Sequence, residues 1–252
     1  MSEQAPKRLN KYISDTGLCS RREADKLIEQ NRVTVNNQPP ELGTKVGPGD
    51  TVKVDGKVVG AVASDKSDRV YIVYNKPIGI TGTTERHVKG NIIDAIGHKE
   101  RIFPVGRLDK PSEGLIILTS DGDIVNKILR AENAHDKEYE VTVNQPISER
   151  FVNRMSRGVP ILGTVTKPCV VKPTGKNTFT IILTQGLNRQ IRRMCEFLGY
   201  EVTKLKRTRI MPLELGSLNP GQWRNLTSRE LTIMQNAVRS STKTASKVEL
   251  RK

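Results

Sequence analysis

The sequence predicts an α+β protein of two domains, on the strength of three observations. Up to about Gly56, helical apolar faces combine with very short strands. From Val70 onward the pattern is richer in strands, which alternate with helices. Between these regions, residues 60–68 (GAVASDKSD) are small and polar and lack periodicity, as is typical of a flexible linker. We therefore expect a small domain at 7–59, a linker at 60–68, a larger domain at 69–240 and a disordered tail at 241–252.

Composition limits both the partners and the chemistry. The chain has 42 Lys and Arg against 27 Asp and Glu, and its net charge of +15 indicates a polyanionic partner, either nucleic acid or an acidic membrane surface. Cys19, Cys169 and Cys195 are far apart and lack CxxC spacing, so disulfides and a cysteine zinc site are disfavoured. No apolar run approaches membrane-spanning length, and the N-terminus has no apolar signal core. We expect a soluble, cytoplasmic protein.

The small domain is expected to contain two helices and short strands. Leu9, Tyr12 and Ile13 share one helical face, and Ser20 begins a capping box, with Glu23 three residues later. Three basic residues lie on or beside the solvent face of the second helix: Arg21, Arg22 and Lys26. An ordinary solvated helix face and an RNA contact explain these charges about equally well.

The larger domain is organised around Phe103–Thr119, FPVGRLDKPSEGLIILT. Leu115–Leu118 is a short, wholly apolar run between turn signals, which predicts a buried strand. Asp109 lies in the irregular segment before it, and irregular segments anchored to a rigid core often carry site residues. By local chemistry alone, an Asp near Arg107 and Lys110 is more often a turn residue or part of a surface ion pair.

Two further pieces of the larger domain are candidates for function. Tyr139 lies on the alternating strand Lys137–Val143, where a tyrosine is usually part of the core. A helix is predicted at Arg189–Leu198, and residues 189–209 carry seven basic residues against Glu196 and Glu201. The seven are Arg189, Arg192, Arg193, Lys204, Lys206, Arg207 and Arg209. This excess of positive charge predicts contacts to phosphates, and Arg192 alone would be one of several such contacts.

Taken in order, these segments resemble a known family. The stretch from Arg8 to Gln38 resembles the S4-type RNA-binding module. Four later motifs (NKPIG at 75–79, GRLD at 106–109, KEY at 137–139 and GLNRQIR at 186–192) resemble the pseudouridine synthases that carry such a module. The resemblance runs from about Lys7 to Thr227, and within the group it is strongest to the bacterial ribosomal large-subunit pseudouridine synthases of the F type.

The resemblance implies a fold and a reaction. The larger domain would be built on a mixed, largely antiparallel sheet and would convert uridine to pseudouridine without a cofactor or metal. Asp109 would be the nucleophile, attacking the sugar C1′ or acting through a glycal route. Arg192 would pair with Asp109 and orient it, and Tyr139 would stack on the extruded base and could also serve as a base. Arg107 would contact the RNA backbone or brace its loop.

The resemblance also implies RNA partners. The expected substrate is 23S ribosomal RNA, either free or within a ribosomal particle during assembly, bound by a protein that we expect to be a monomer. The expected RNA contacts are Arg21, Arg22, Lys26, Lys76, Arg107, Arg189 and Arg193, whereas Pro77 is interpreted as a structural turn residue. The alternatives are a tRNA stem-loop substrate and a non-catalytic RNA-binding ribosome-assembly factor. An RNA methyltransferase is disfavoured, since no Gly-rich strand–turn–helix signature is present.

Overall fold

A computed structural model describes residues 6–16, 18–41, 43–60, 69–84, 88–129 and 135–239. The chain divides into two compact units, Met1–Asp68 and Arg69–Lys252. Apart from Gly60, the predicted linker lies outside the described residues, as does the predicted tail at 241–252. None of the helices within these ranges is both long and apolar enough to cross a membrane.

The first unit is a small α/β module. Its elements are β1 (Lys7–Arg8), α1 (Leu9–Asp15), α2 (Arg21–Glu29), β2 (Val33–Val35), β3 (Lys45–Val46), β4 (Val52–Val54) and β5 (Lys57–Val58). Strands β2, β4 and β5 form an antiparallel sheet, and β1 pairs with β3.

The core of the first unit follows from the apolar spacing of its helices. Leu9 and Ile13 of α1 and Ala24 and Ile28 of α2 are buried against valines of the strands. The predicted capping box is confirmed: the Glu23 N–H donates to Ser20 Oγ at 3.1 Å, and the Ser20 N–H donates to Glu23 Oε2 at 2.7 Å. Such a box fixes the start of a helix by satisfying backbone donors that have no partner within it. Arg21, Arg22 and Lys26 are exposed on α2.

The second unit is strand-rich. Its strands are β6 (Tyr71–Lys76), β7 (Phe103–Val105), β8 (Glu113–Thr119), β9 (Lys137–Val143), β10 (Pro160–Ile161), β11 (Thr164–Val165), β12 (Val170–Pro173), β13 (Thr178–Leu183), β14 (Val202–Ile210), β15 (Leu213–Glu214) and β16 (Trp223–Asn225). Its helices are α3 (Ile92–Ile96), α4 (Gly122–Leu129), α5 (Glu149–Arg157), α6 (Gln190–Phe197) and α7 (Ser228–Ala237). The sequence pattern suggests a single strand at Arg209–Leu215; instead β14 ends at Ile210, and Met211 turns the chain with a φ of 53°.

One mixed sheet organises this unit. Its strands run in the order β12-β13-β9-β14-β8-β6-β16, with β7 paired to β8 and β15 paired to β14. Within the described residues every pair in it is antiparallel except β14 with β8. The predicted α+β fold with a mixed, largely antiparallel sheet is therefore confirmed.

Strand β8 is buried on both faces. Leu115 and Ile117 belong to one apolar cluster, which includes residues of α4 and α7, whereas Ile116 and Leu118 belong to another, which includes residues of α3. Burial on both faces explains why this strand is an unbroken apolar run and does not alternate with polar residues.

The neighbours of β8 change along one of its edges. Strand β6 covers the other edge throughout, from Lys76 beside Gly114 to Tyr71 beside Thr119. On the changing edge, β14 pairs with residues 113 and 114, and β7 pairs with residues 117 to 119. The connection from β7 to β8, residues 106–112, therefore emerges where one neighbouring strand gives way to the other. Asp109 lies in this connection.

Candidate active site

The Asp109 loop is fixed by backbone contacts on both sides. The Ser112 N–H donates to the Asp109 carbonyl oxygen at 3.0 Å, closing a tight turn. The Gly79 N–H donates to the Lys110 carbonyl oxygen at 2.9 Å, which ties the loop to the segment after β6. Leu108, just before the aspartate, is buried in the cluster shared with β6 and β8. Asp109 is thus presented by a rigid turn, and 34% of its side-chain surface is exposed.

Helix α6 brings two guanidinium groups to this carboxylate. Arg192 Nε and Arg189 Nη1 each lie 3.9 Å from Asp109 Oδ2. Arg189 precedes the helix in a left-handed conformation (φ 50°, ψ 36°) that non-glycine residues adopt uncommonly. The side chain of Gln190 accepts from the Leu187 N–H at 3.0 Å and so supports the preceding turn. Strain at such a position is often found at functional sites.

Arg192 is held mainly by groups other than Asp109. Its Nη1 donates to the Val202 carbonyl oxygen at 3.1 Å, and its Nη2 donates to Ser112 Oγ at 3.0 Å. Its Nε is buried and has no hydrogen-bond partner among the described residues. Burial and the nearby Arg189 lower the pKa of Arg192, whereas Asp109 raises it. The guanidinium is therefore oriented in advance beside the carboxylate, with one donor still uncommitted.

Lys76 is buried within electrostatic reach of Asp109 and does not lie on the surface. Its side chain is fully buried, and its Nζ donates to the carbonyl oxygens of Pro77 at 2.9 Å and Ile80 at 2.8 Å. Burial lowers the pKa of Lys76 to about 8, against the opposing effect of Asp109 and Glu113. The predicted contact between Lys76 and an RNA phosphate is thus corrected, because a fully buried ammonium cannot reach a bound backbone.

A second buried arginine links Tyr139 to the strand that follows Asp109. Arg207 on β14 is paired with Gly114 of β8 on one side and with Tyr139 of β9 on the other. Its Nε donates to the Leu115 carbonyl oxygen at 2.7 Å, and its Cζ lies 6.0 Å from the centre of the Tyr139 ring. Its Nη2 is buried without a hydrogen-bond partner in the described ranges. Tyr139 also packs against the cluster that contains Leu108, which brings the tyrosine close to the Asp109 loop.

The basic stretch at 189–209 is corrected in part. Arg189 is exposed and Arg193 partly so, as RNA contacts would require, and Arg107 in the Asp109 loop is exposed as well. Arg192 and Arg207, however, are buried. Lys204 pairs with Glu113 at 3.2 Å, and Arg209 pairs with Glu138 at 2.8 Å. Four of the seven basic residues are therefore either buried or held in ion pairs within the sheet.

The sequence did not predict two features of this site. Ser112 was not predicted as a site residue, and Arg207 was predicted as a phosphate contact and not as a buried residue. The signal for Arg207 was the alternation of β14, in which Leu205 and Arg207 both point inward. No local pattern marks Ser112, because its partner Arg192 lies 80 residues away in the chain.

The chain is similar in sequence to known families of RNA-modifying and RNA-binding proteins. A family model described as RNA pseudouridylate synthase matches residues 70–197, and an S4 domain model matches residues 7–52. The chain is 55% identical over 238 residues to the dual-specificity RNA pseudouridine synthase RluF of Salmonella typhi, covering 94% of this chain and 82% of that protein. It is 55% identical over 234 residues to RluF of Escherichia coli, covering 93% of this chain and 80% of that protein.

Proteins of lower sequence identity to this chain are also pseudouridine synthases. The ribosomal large subunit pseudouridine synthase B of Bacillus subtilis is 34% identical over 233 residues, covering 89% of this chain and 93% of that protein. A crystal structure of a pseudouridylate synthase aligns with a TM-score of 0.67 at 25% identity, covering 90% of this chain and 99% of that chain. The chain belongs to the RNA pseudouridylate synthase family and carries an S4 domain at residues 7–52.

Proposed function

We propose that this pseudouridine synthase acts on the large-subunit ribosomal RNA, with Asp109 as its nucleophile. The observation that carries the proposal is the setting of the Asp109 carboxylate. It is partly exposed on a rigid turn, and two guanidinium groups lie 3.9 Å from the same oxygen. Within the described residues, its charged partners lie at ion-pair distance and make no short hydrogen bond to it. A carboxylate that is accessible and oriented in this way is suited to attack a ribose carbon.

The isomerisation exchanges one glycosidic bond for another. The N1–C1′ bond of uridine breaks, the uracil ring turns, and a C5–C1′ bond forms. The proton on C5 is lost and N1 gains a proton, so no atom is added overall. Asp109 would hold the sugar fragment covalently after attack at C1′, or would enter through a glycal. In either route a single carboxylate suffices, and the reaction needs no redox step.

Arg192 is proposed to orient and stabilise this carboxylate. Its bonds to Val202 and Ser112 fix the guanidinium, and the uncommitted Nε lies 3.9 Å from Asp109 Oδ2. Hydrogen bonds at catalytic groups are often long in free enzymes and shorten in the substrate complex. A closure of about 1 Å would convert this ion pair into a charge-assisted hydrogen bond.

Tyr139 is proposed to stack on the target uracil. The base must leave its helical stack to reach the nucleophile, and a flipped base is commonly held against an aromatic side chain. Tyr139 is partly buried beside the Leu108 cluster, with the Arg207 guanidinium 6.0 Å from its ring. A ring supported in this way would present a fixed surface to the extruded base.

The substrate proposal rests on the relatives. Two relatives at 55% identity are named dual-specificity RNA pseudouridine synthases, and the Bacillus subtilis relative is named for the ribosomal large subunit. We infer that 23S ribosomal RNA is the principal substrate and that a tRNA stem-loop is a second one. Exposed or partly exposed arginines and lysines on α2, in the Asp109 loop and at the start of α6 would bind phosphates: Arg21, Arg22, Lys26, Arg107, Arg189 and Arg193. We further propose that the protein acts as a cytoplasmic monomer.

A pseudouridine map of total RNA tests this proposal. The map is made from cells that lack the gene and from the same cells supplied with the wild-type protein or with Asp109→Asn. We expect one or two sites in large-subunit ribosomal RNA, together with a tRNA site, to disappear and to return only with the wild-type protein. Loss confined to tRNA would overturn the ribosomal substrate. If no site disappears, the non-catalytic RNA-binding factor becomes the better account.

A further inference from the structure

Helix α5 carries a row of arginines on its exposed side. Phe151 and Met155 face the core, whereas Arg150, Arg154 and Arg157 follow one another at spacings of four and three residues on the solvent side. We refer to these three as the α5 arginine row. None of them has a carboxylate partner within the described part of the chain. The only acidic residue of α5 is Glu149, in its first turn.

The row meets an exposed aromatic ring on α6. Phe197 is 50% exposed, and the Arg154 guanidinium carbon lies 5.8 Å from the centre of its ring. The two helices share a core, since Met155 of α5 and Met194 of α6 belong to the same apolar cluster. The Arg154–Phe197 contact is therefore where their outward sides meet. A cation–π pair accounts for this contact, but Phe197 remains half exposed to solvent.

Phe197 also lies on the side of α6 that leads away from Asp109. Arg189, Arg193 and Phe197 are spaced four residues apart, so they follow one another along one side of the helix. Arg189 faces Asp109 at 3.9 Å, and Phe197 lies about 12 Å farther along the helix axis. A few nucleotides next to the target uridine can span that distance. The acidic neighbour on this helix is Glu196.

We propose that Phe197 and the α5 arginine row form a second RNA-contact site, which holds single-stranded nucleotides beside the target uridine. One base stacks on the open part of the Phe197 ring, and the arginine row binds the adjoining phosphates. An aromatic ring flanked by cations is how proteins commonly hold single-stranded nucleic acid. The charge of the row selects a polyanion over an apolar partner. This inference rests on the proposed RNA substrate but concerns a different surface from the site at Asp109.

The test compares the full-length wild-type protein with Phe197→Ala, Phe197→Tyr, Arg154→Gln and Ile233→Ala. Ile233 is the matched control, since it is 41% exposed on α7, a helix that packs in a different apolar cluster from α5 and α6. The probe is an unmodified large-subunit ribosomal RNA transcript tritiated at uracil C5. Filter binding gives Kd, and tritium release gives KM and kcat, because C5 loses its hydrogen in the reaction. A thermal melt of each variant establishes that it is folded.

We expect Phe197→Ala to raise Kd and KM about 10-fold, as for the loss of one stacked base. Its kcat at saturation should remain within about twofold of wild type, since the residue does not touch the reacting atoms. Phe197→Tyr should restore binding, and Ile233→Ala should match wild type. Arg154→Gln should lower the slope of log Kd against log salt by about 1, as for one lost phosphate contact.

Equal Kd values for Phe197→Ala and Ile233→Ala would overturn the inference, as would a Phe197→Ala defect seen only in the presence of another protein. Failure of this contact site can be distinguished from failure of the proposed function. If wild-type protein binds the transcript more tightly than Phe197→Ala but releases no tritium, the contact site stands and the ribosomal substrate fails.

Discussion

Arg192 shows how a buried cation can serve an exposed carboxylate. Its guanidinium bonds to Val202 and Ser112, and both partners are fixed by the sheet and by the turn that carries Asp109. Because both partners belong to the protein itself, these bonds set the direction of the Nε donor. Preorganised donors of this kind need little rearrangement during reaction.

Replacing Arg192 with lysine should preserve charge and lose geometry. An ammonium on a flexible stem cannot bond Val202, Ser112 and Asp109 with the fixed fork of a guanidinium. We expect kcat to fall about 100-fold with little change in RNA affinity. Tritium release at saturating transcript measures this, with Arg193→Lys as the neighbouring control. A wild-type kcat for Arg192→Lys would show that the orientation of this group is unimportant.

Lys76 makes the stability of the folded protein depend on pH. Its pKa is lowered by burial to about 8 from an ordinary 10.5. Between these values the unfolded chain binds more protons at this residue than the folded chain does. The free energy of unfolding should therefore rise with pH across this window. Below pH 8 it is lowered by the full cost of burying the charged lysine.

The variant Lys76→Met isolates this contribution. Relative to the variant, wild type should gain about 2 kcal/mol of unfolding free energy between about pH 7 and pH 10. Urea denaturation at the two pH values provides the measurement. Parallel changes in the two proteins would mean that Lys76 does not lose its proton in this range.

At the scale of elements, the site depends on the contact between β8 and β14. Gly114 has a φ of +108°, and a Cβ built there would lie 2.7 Å from the Arg207 nitrogen. The absence of a side chain lets the two strands approach in parallel, which puts Arg207 between Leu115 and Tyr139. The glycine thereby supports the loop of the nucleophile and the tyrosine together.

Gly114→Ala should destabilise the protein by about 2–4 kcal/mol, since it combines a steric clash with an unfavourable backbone conformation. Gly199→Ala is the control, because Gly199 also has a positive φ, +83°. A Cβ added at Gly199 would lie in open space. The control should cost only about 1 kcal/mol. Urea midpoints measure both. Equal losses would indicate that strand proximity contributes nothing.

The elements of this site are more predictable from sequence than the burial of its charges. The apolar run at Leu115–Leu118 predicts β8 because a doubly buried strand needs apolar residues at every position. The spacing of Ile191, Met194 and Cys195 likewise predicts the buried side of α6. Sequence alone places Lys76 and Arg207 among the surface cations, since burial of a charge depends on carbonyl partners that tertiary structure supplies. That Arg192 lies near Asp109 could be predicted only from the family resemblance, and not from any local pattern in the sequence.

For the whole molecule, the charge distribution sets how RNA is bound. The chain carries a net charge of +15, and exposed arginines and lysines occur in both compact units. Phosphate contacts displace condensed counterions, so each contact makes affinity more sensitive to salt. Affinity for the ribosomal RNA transcript should fall on the order of 1,000-fold between about 50 and 200 mM salt. Filter binding across a salt series measures this, and a flat response would exclude a phosphate-dominated interface.

The most direct test of the central proposal compares purified wild type with Asp109→Asn on the unmodified transcript. The substitution keeps the size of the side chain and removes the nucleophilic charge. Pseudouridine formation and RNA affinity are measured in the same preparation. We predict that wild type forms pseudouridine and that Asp109→Asn forms none while it binds RNA as tightly. Pseudouridine formation by Asp109→Asn at a rate near that of wild type would contradict the assignment of Asp109 as the nucleophile.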